Sequence, residues 1–353
     1  MKYQIPLAVK IITNCLLIIL LSNSLVAQQD SLTLFETLYG EEIPHFHIKT
    51  KLKQIIRKKA KKENHVGTLT YKDKLGQQQE YTIKIRARGN MRNKVCFLPP
   101  LKIDFKKGDL AAAGIRRDFD DLKLVVRCKN SDAYEDYLLK EYLTYKLYNT
   151  LSDISFRVQL IKLTLEDTEG KQKNIEAHAF LIENKDELTE RVNGRLIGNL
   201  LYKIKYLDPV AYDRMCLFEY MIGNADWHII KHHNTKIVAL PEEKRAVAIP
   251  YDFDFSALVG TPYATPHTLL PIEDIRDRYY LGPCREENAL DPTFELFREK
   301  KTAIISTVEQ FDLLDPKAKK SMLQYLNSFF DILENPEACD SHIVEHCDLH
   351  IKP

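Results

Sequence analysis

Apolar and polar residues alternate through much of the first half of the chain, and helical intervals dominate the second. Over residues 43–49, Ile43, His45, His47 and Lys49 alternate with Pro44, Phe46 and Ile48, the pattern of a half-buried strand. Further strands are predicted at 65–71 and, after a turn at 73–76, at 80–88, where Tyr81, Ile83 and Ile85 share a face. Residues 101–105 and 122–128 add two more. The next stretch, 134–147, places Tyr137, Leu138, Glu141, Tyr142, Tyr145 and Leu147 at helical intervals with no breaker. Strands at 157–166 and 175–182, joined by a turn at 168–170, complete an antiparallel sheet interrupted by one helix.

Beyond Glu183 the pattern changes. Asp208 is placed to cap a helix that has Pro209 at its first position and an apolar run over 210–222. That helix delivers the chain into Gly223, Asn224, Ala225, Asp226, Trp227 and His228. Strand candidates at 235–240 and 246–249 flank a turn at 241–244 and lead to Pro250, Tyr251, Asp252, Phe253, Asp254 and Phe255. Residues 260–284 are rich in Pro and turn formers and predict a long ordered loop; helices over 292–310 and 316–333 close the chain.

At 353 residues the chain exceeds the size one core usually serves. Two lobes are therefore expected, 28–183 and 184–353, joined near 183–188. The first 27 residues have the parts of a secretory signal: Lys2 and Lys10, an apolar run over 11–21, and small or polar residues leading to cleavage after Ala27. That run is shorter than the roughly 20 residues that span a bilayer, so no membrane span is expected after cleavage, and the chain is expected to be exported. Cys15 leaves with the signal, and its context does not suit a lipid anchor. Six cysteines remain, some of which can pair in an oxidising compartment, with Cys339 and Cys347 close enough to close a small loop; Cys216, in an apolar helix, is expected as a buried thiol. No CxxC unit occurs, which argues against a structural zinc knuckle.

The formal net charge of +1 provides no field to steer a polyanion. The one basic run, 51–62, has Leu52, Ile55 and Ile56 on one helical side and no aromatic platform beside it, so it is a solvated helix face and no nucleic-acid partner is expected. There is no GxSxG elbow and no cysteine in an activating context.

The informative chemistry lies in Asp226 and Asn234, followed by Asp252 and Asp254. Phosphoryl transfer needs a carboxylate at the acceptor hydroxyl, plus an Asn and an Asp that hold magnesium against the phosphates, because positioning and charge neutralisation do nearly all the work. Asp226 is thus the candidate base, and Asn234 and Asp252, assisted by Asp254, are candidate ligands of Mg2+ or Mn2+, hard cations that take oxygen donors. A second possibility uses His228 and His232, four apart, with Asp226 as a zinc site of a metal-dependent hydrolase. The segment lacks a sustained helical pattern, which counts against it.

With these residues in view, the chain resembles the CotH family of spore-coat atypical protein kinases and their exported relatives. The likeness rests on Ile85, Arg86, Ala87, Arg88, Gly89 and Asn90, on Leu101 to Phe105, on Asn224 and Asp226 with His233 and Asn234, and on Pro250 to Asp254. The resemblance implies a two-lobed, kinase-like α+β fold, with an antiparallel-sheet N-lobe and a mainly helical C-lobe. It implies transfer of the ATP γ-phosphate to a hydroxyl of a protein or small molecule. By position, Lys102 would pair with the nucleotide phosphates, Glu141 or else Glu135 would fix that lysine, and Arg88 and Gly89 would lie beside the phosphates. The sequence departs from the family in lacking a GxGxxG loop, in having Met91 and Arg92 after Asn90, and in a long gap between Asp226 and Asn234. The alternative is a binding or scaffold protein that keeps the site without the transfer.

Overall fold

The computed structural model describes residues 31–198, 204–241, 245–266, 268–286, 288–345 and 347. The expected signal segment lies outside them. After a short capped helix, α1 (Leu34–Leu38), the first strand β1 (His45–Thr50) leads to helix α2 (Leu52–Arg57) and the hairpin β2 (His65–Lys72) and β3 (Gln78–Ala87). A short helix α3 (Met91–Val95) precedes β4 (Leu101–Phe105), α4 (Lys107–Ala112) and β5 (Asp121–Val126). The long helix α5 (Asp132–Leu151) separates these from β6 (Val158–Asp167) and β7 (Ile175–Ile182).

The seven strands close into a barrel in the order β1-β2-β3-β4-β5-β7-β6. Closure comes from β1, which pairs antiparallel with β2 on one side and parallel with β6 on the other. The expected open antiparallel sheet of a two-lobed kinase-like fold is therefore overturned. Strand alternation reports which face each residue takes but not which strands are neighbours, so a first strand that bonds on both edges looks the same as an edge strand. The barrel interior is filled at period two by Phe46 and Ile48, Tyr81, Ile83 and Ile85, Leu101, Ile103 and Phe105, Leu163 and Leu165, and Leu181, all buried.

On β5, β6 and β7 the outward positions are apolar as well. Val125, Val158, Leu160, Phe180 and Ile182 join a second core shared with α5 and the C-terminal half. A strand buried on both faces needs a cover, and α5 supplies it: Tyr142 and Tyr145 lie 6.0 and 5.9 Å, centroid to centroid, from the Phe180 ring.

The second half contains α6 (Lys185–Arg191), β8 (Arg195–Ile197), α7 (Pro209–Ile222), β9 (Thr235–Ala239), β10 (Ala246–Pro250), α8 (Asp291–Glu309), α9 (Pro316–Glu334) and α10 (Pro336–Cys339). Strands β8, β9 and β10 form a three-stranded sheet. Asp208 caps α7 by accepting from Ala211 N–H, and Pro209 occupies its first turn. Disulfides join Cys96 to Cys128 and Cys284 to Cys347, so Cys347 does not pair with Cys339, which stays buried and free like Cys216. Among the described residues no helix is long and apolar enough to cross a membrane.

Because Phe180 packs between barrel wall and α5, Phe180→Ala is expected to cost about 3–5 kcal/mol. Urea unfolding followed by circular dichroism measures it; a loss below about 1 kcal/mol would mean that the barrel and the helix do not share this core.

Candidate functional site

Helix α7 ends on Gly223, which has φ +63° and no room for a side chain: a Cβ there would meet the Tyr325 hydroxyl at 2.1 Å and Ala257 Cβ at 2.7 Å. The chain turns sharply and Asn224 takes over. Its Oδ1 accepts from Asp226 N–H at 3.1 Å, and its Nδ2 donates to Glu219 Oε2 at 2.9 Å. Glu219 is 1% exposed, and burial, opposed by the Asn224 hydrogen bond, pushes its carboxyl up to about 8. A buried carboxyl displaced toward its neutral form thus anchors the loop from below.

The loop returns on itself through paired backbone bonds between His228 and His233, of 2.9 and 3.0 Å. His233 Nε2 lies 2.8 Å from Asp226 Oδ1, and Asn234 Nδ2 donates to the Asp226 carbonyl at 2.7 Å and to its Oδ2 at 3.0 Å. Asn234 therefore spends its N–H donors on Asp226 and keeps its amide oxygen as an acceptor. His228 and His232 do not sit on a helix, and among the described residues no group of three or more His, Cys, Asp or Glu forms a ready-made metal site.

The second loop follows β10. Phe253 is fully buried against Tyr145 and Phe218, with centroids 4.7 and 5.6 Å away. Its neighbours Asp252 and Asp254 both line the cleft. Asp252 has φ +67°, and Asn234 and His232 each +50°, a concentration of left-handed non-glycine backbone around the cleft. Asp252 N–H donates to the Tyr145 hydroxyl at 2.8 Å, while its carboxylate receives no hydrogen bond among the described residues. Burial, then the charge of Asp254, pushes that carboxyl up to about 6.

Asp254 is held differently. Its Oδ2 accepts from Arg92 Nε at 2.7 Å and from the Tyr263 hydroxyl at 2.9 Å. Arg92 also reaches Glu141 through a second guanidinium nitrogen, and all three side chains are buried. Burial works against the Arg92 charge, but Asp254 and Glu141 outweigh it and hold its pKa well above the ordinary arginine value. Burial likewise pushes the Glu141 carboxyl up, against the pull of Arg92.

Arg88, Gly89, Arg92, Asp226, Asn234, Asp252 and Asp254 together line one cleft of about 310 Å³. Gly89, at φ +83°, makes the turn out of β3 that carries Arg88 to the rim. The two remaining candidates lie elsewhere. Lys102 projects from the outer wall of the barrel and is held by Asp104 at 2.7 Å and Asp121 at 3.6 Å, and it does not line the cleft. Glu141 binds Arg92 instead of a lysine, and Glu135 is taken up by Arg127 and His178 at 2.8 and 2.7 Å.

Two cations escaped the sequence reading. Arg92 was visible only as a departure from a family pattern. Lys123 stands opposite Lys102 across the β4–β5 ladder and opposite Ile182, a cleft residue, across β5–β7. Burial, then the nearby Arg88 charge, pushes its ammonium down to about 8. The available signal was a lysine set between Leu122 and Leu124 on a strand whose next outward residue, Val125, is apolar.

No known family profile matches the chain, and no curated protein matches it. Among solved structures it is similar to the proinflammatory kinase CtkA of Helicobacter pylori, at 11% identity and a TM-score of 0.39, over 69% of this chain and 91% of that one. So loose a likeness fixes neither the fold nor the role of any residue.

Two outcomes are expected. Glu219, with a folded pKa above its unfolded value, stabilises the fold fully below about 4.5 and loses that contribution as pH rises through about 8. Glu219→Gln keeps an acceptor for Asn224, so the fall in melting temperature between pH 5 and 9 should flatten in the variant. Arg92→Ala leaves two buried carboxyls without their cation and is expected to cost about 3–5 kcal/mol, measured by chemical denaturation.

Proposed function

We propose that this protein binds a nucleoside triphosphate with a divalent cation in the cleft and transfers the terminal phosphoryl group to a hydroxyl. The observation that carries this reading is the convergence of Asp226, Asn234 and Asp252, from two loops, on a cleft whose opposite rim is Arg88 and Gly89. The Asp252 carboxylate, half-buried and receiving no hydrogen bond among the described residues, and the spare Asn234 oxygen fit a hard cation such as Mg2+. Bound there, the ion supplies charge neutralisation to the phosphates.

Asp226 is fixed by His233 and Asn234, one on each carboxylate oxygen, and is the group that orients the acceptor hydroxyl and takes its proton. The acceptor oxygen bonds to the terminal phosphorus as the bond to the bridging oxygen breaks, and the nucleoside diphosphate leaves. Arg88 is the cation on the cleft rim that meets the phosphates, in the role that the resemblance to CotH-like kinases gave to Lys102. Two disulfides suit an exported chain.

A second reading, nucleotide binding without transfer, is favoured by one observation: Glu141 and Lys102 have other partners and do not meet.

With Mg2+ present, ATP is expected to raise the melting temperature, and chelation to abolish the rise. Asp252→Asn should remove the shift; Asp226→Asn should keep it and lower transfer from labelled ATP by about 100-fold or more. A shift that survives in Asp252→Asn sinks the cation assignment. Transfer absent from the unmodified protein while the shift persists establishes the second reading.

A further inference from the structure

Helix α3 carries Arg92 inward, and its other side faces solvent. Arg92 and Asn93 are buried, whereas Met91 and Val95, four apart, share the outer face, and Phe97 follows them. These three side chains are 46%, 37% and 41% exposed. A single exposed apolar residue is ordinary; three in one short stretch form a patch that marks a contact surface.

The basic run of residues 51–62 ends against this patch. Leu52 and Ile55 are buried in the barrel core, which leaves the charged side of the run outward. Lys62 Nζ donates to Asn90 Oδ1 at 3.2 Å, Asn93 Nδ2 donates to the Lys59 carbonyl at 2.9 Å, and Lys59 Nζ donates to the Cys96 carbonyl. The run and α3 are thereby one continuous surface, on which Arg57, Lys58, Lys61, Lys62 and Lys94 are exposed beside the apolar three. Across residues 51–66 and 90–98 the one acidic side chain is Glu63, 3.5 Å from Lys58 and 3.9 Å from Lys61. The surplus of cations makes a local positive field that the net charge of +1 conceals.

We propose that this surface docks on an anionic phospholipid bilayer, with the basic side chains at the headgroups and Met91, Val95 and Phe97 entering the acyl boundary. The mixture of residue types selects this partner. Four of the five exposed cations are lysines, compact and mobile point charges that suit a diffuse anionic surface, whereas a fixed carboxylate or phosphate is better met by the planar fork of arginine. Met91 and Val95 offer nothing to a phosphate backbone, and the single ring of Phe97 makes no stacking platform for bases. Apolar burial and lipid charge reinforce each other in such contacts, and no membrane-spanning helix is needed. Met91 also lines the cleft, so a docked protein holds the cleft rim at the bilayer. The proposal is independent of the phosphotransfer reading.

The test is co-sedimentation of the mature protein, beginning at Gln28, with vesicles of phosphatidylcholine alone or mixed equally with phosphatidylglycerol. Binding to the mixed vesicles is expected to be about 100-fold or more tighter than to the neutral ones and to weaken as salt is added. Combining Lys58→Glu, Lys61→Glu and Lys94→Glu, all at exposed positions outside the cleft lining, should reduce it to the neutral level with the melting temperature held. Val95→Trp, also exposed, is expected to tighten binding about threefold or more at an unchanged melting temperature, and to add an emission shift to shorter wavelength when vesicles are present. Equal binding to both vesicles, no binding, binding that survives the triple substitution, or Val95→Trp without the emission shift overturns the proposal. A DNA duplex that binds the protein more tightly than the mixed vesicles assigns the surface to nucleic acid and overturns it as well.

Discussion

The arrangement of the cleft depends on one buried cation. Arg92 leaves the short helix after β3, enters a space walled by α5 and the loop after β10, and meets Glu141 and Asp254 there. Three separate parts of the chain are thereby tied at a point. The carboxyl of Asp252 beside them is pushed up by its surroundings and by the Asp254 charge, against the pull of Arg92. The same arrangement removes Asp254 from easy service as a cation ligand, because the oxygen bonded to Arg92 and Tyr263 is already occupied. Asp252, without a donor, is the carboxylate in need of a positive partner.

The remainder of the scaffold serves to keep the two loops in register. A barrel with a filled interior is stiff, and three of its strands are apolar on the outside too, so α5 can lie across them and carry Glu141 to Arg92 and Tyr145 to the cleft. Phe253 is the counterpart on the other loop: a buried ring between two carboxylates fixes how far Asp252 and Asp254 reach. Gly223 does the same for Asp226 through a turn in which nothing larger fits.

How far this was legible in the sequence follows from the range of each signal. Alternation at period two located the seven strands of the barrel, and the cap at Asp208 with the apolar run after it located α7, because those signals are local. Closure was not legible, since the parallel pairing of β1 with β6 joins segments 117 residues apart, as in His45 against Lys162, and leaves no mark on either strand alone. The loops bearing Asp226, Asn234 and Asp252 could be picked out by residue type and order, whereas the partner of Glu141 could not. A helix face says which way a glutamate points but not which cation arrives, and here it is an arginine from a short helix that has no periodicity to announce it. Lys102 and Lys123 stand directly across from each other in neighbouring strands, and residue type alone does not tell them apart.

The bond between Cys96 and Cys128 joins the two stretches of chain that supply the arginine and, through the start of α5, its glutamate partner. It closes a loop with a sequence separation of 32, which by chain-entropy reasoning removes roughly 4 kcal/mol of freedom from the unfolded ensemble. The two stretches are thus leashed to each other even when nothing is folded. A polypeptide whose thiols have not yet been oxidised must find that meeting point by diffusion, whereas one that has passed an oxidant carries it as a preset address.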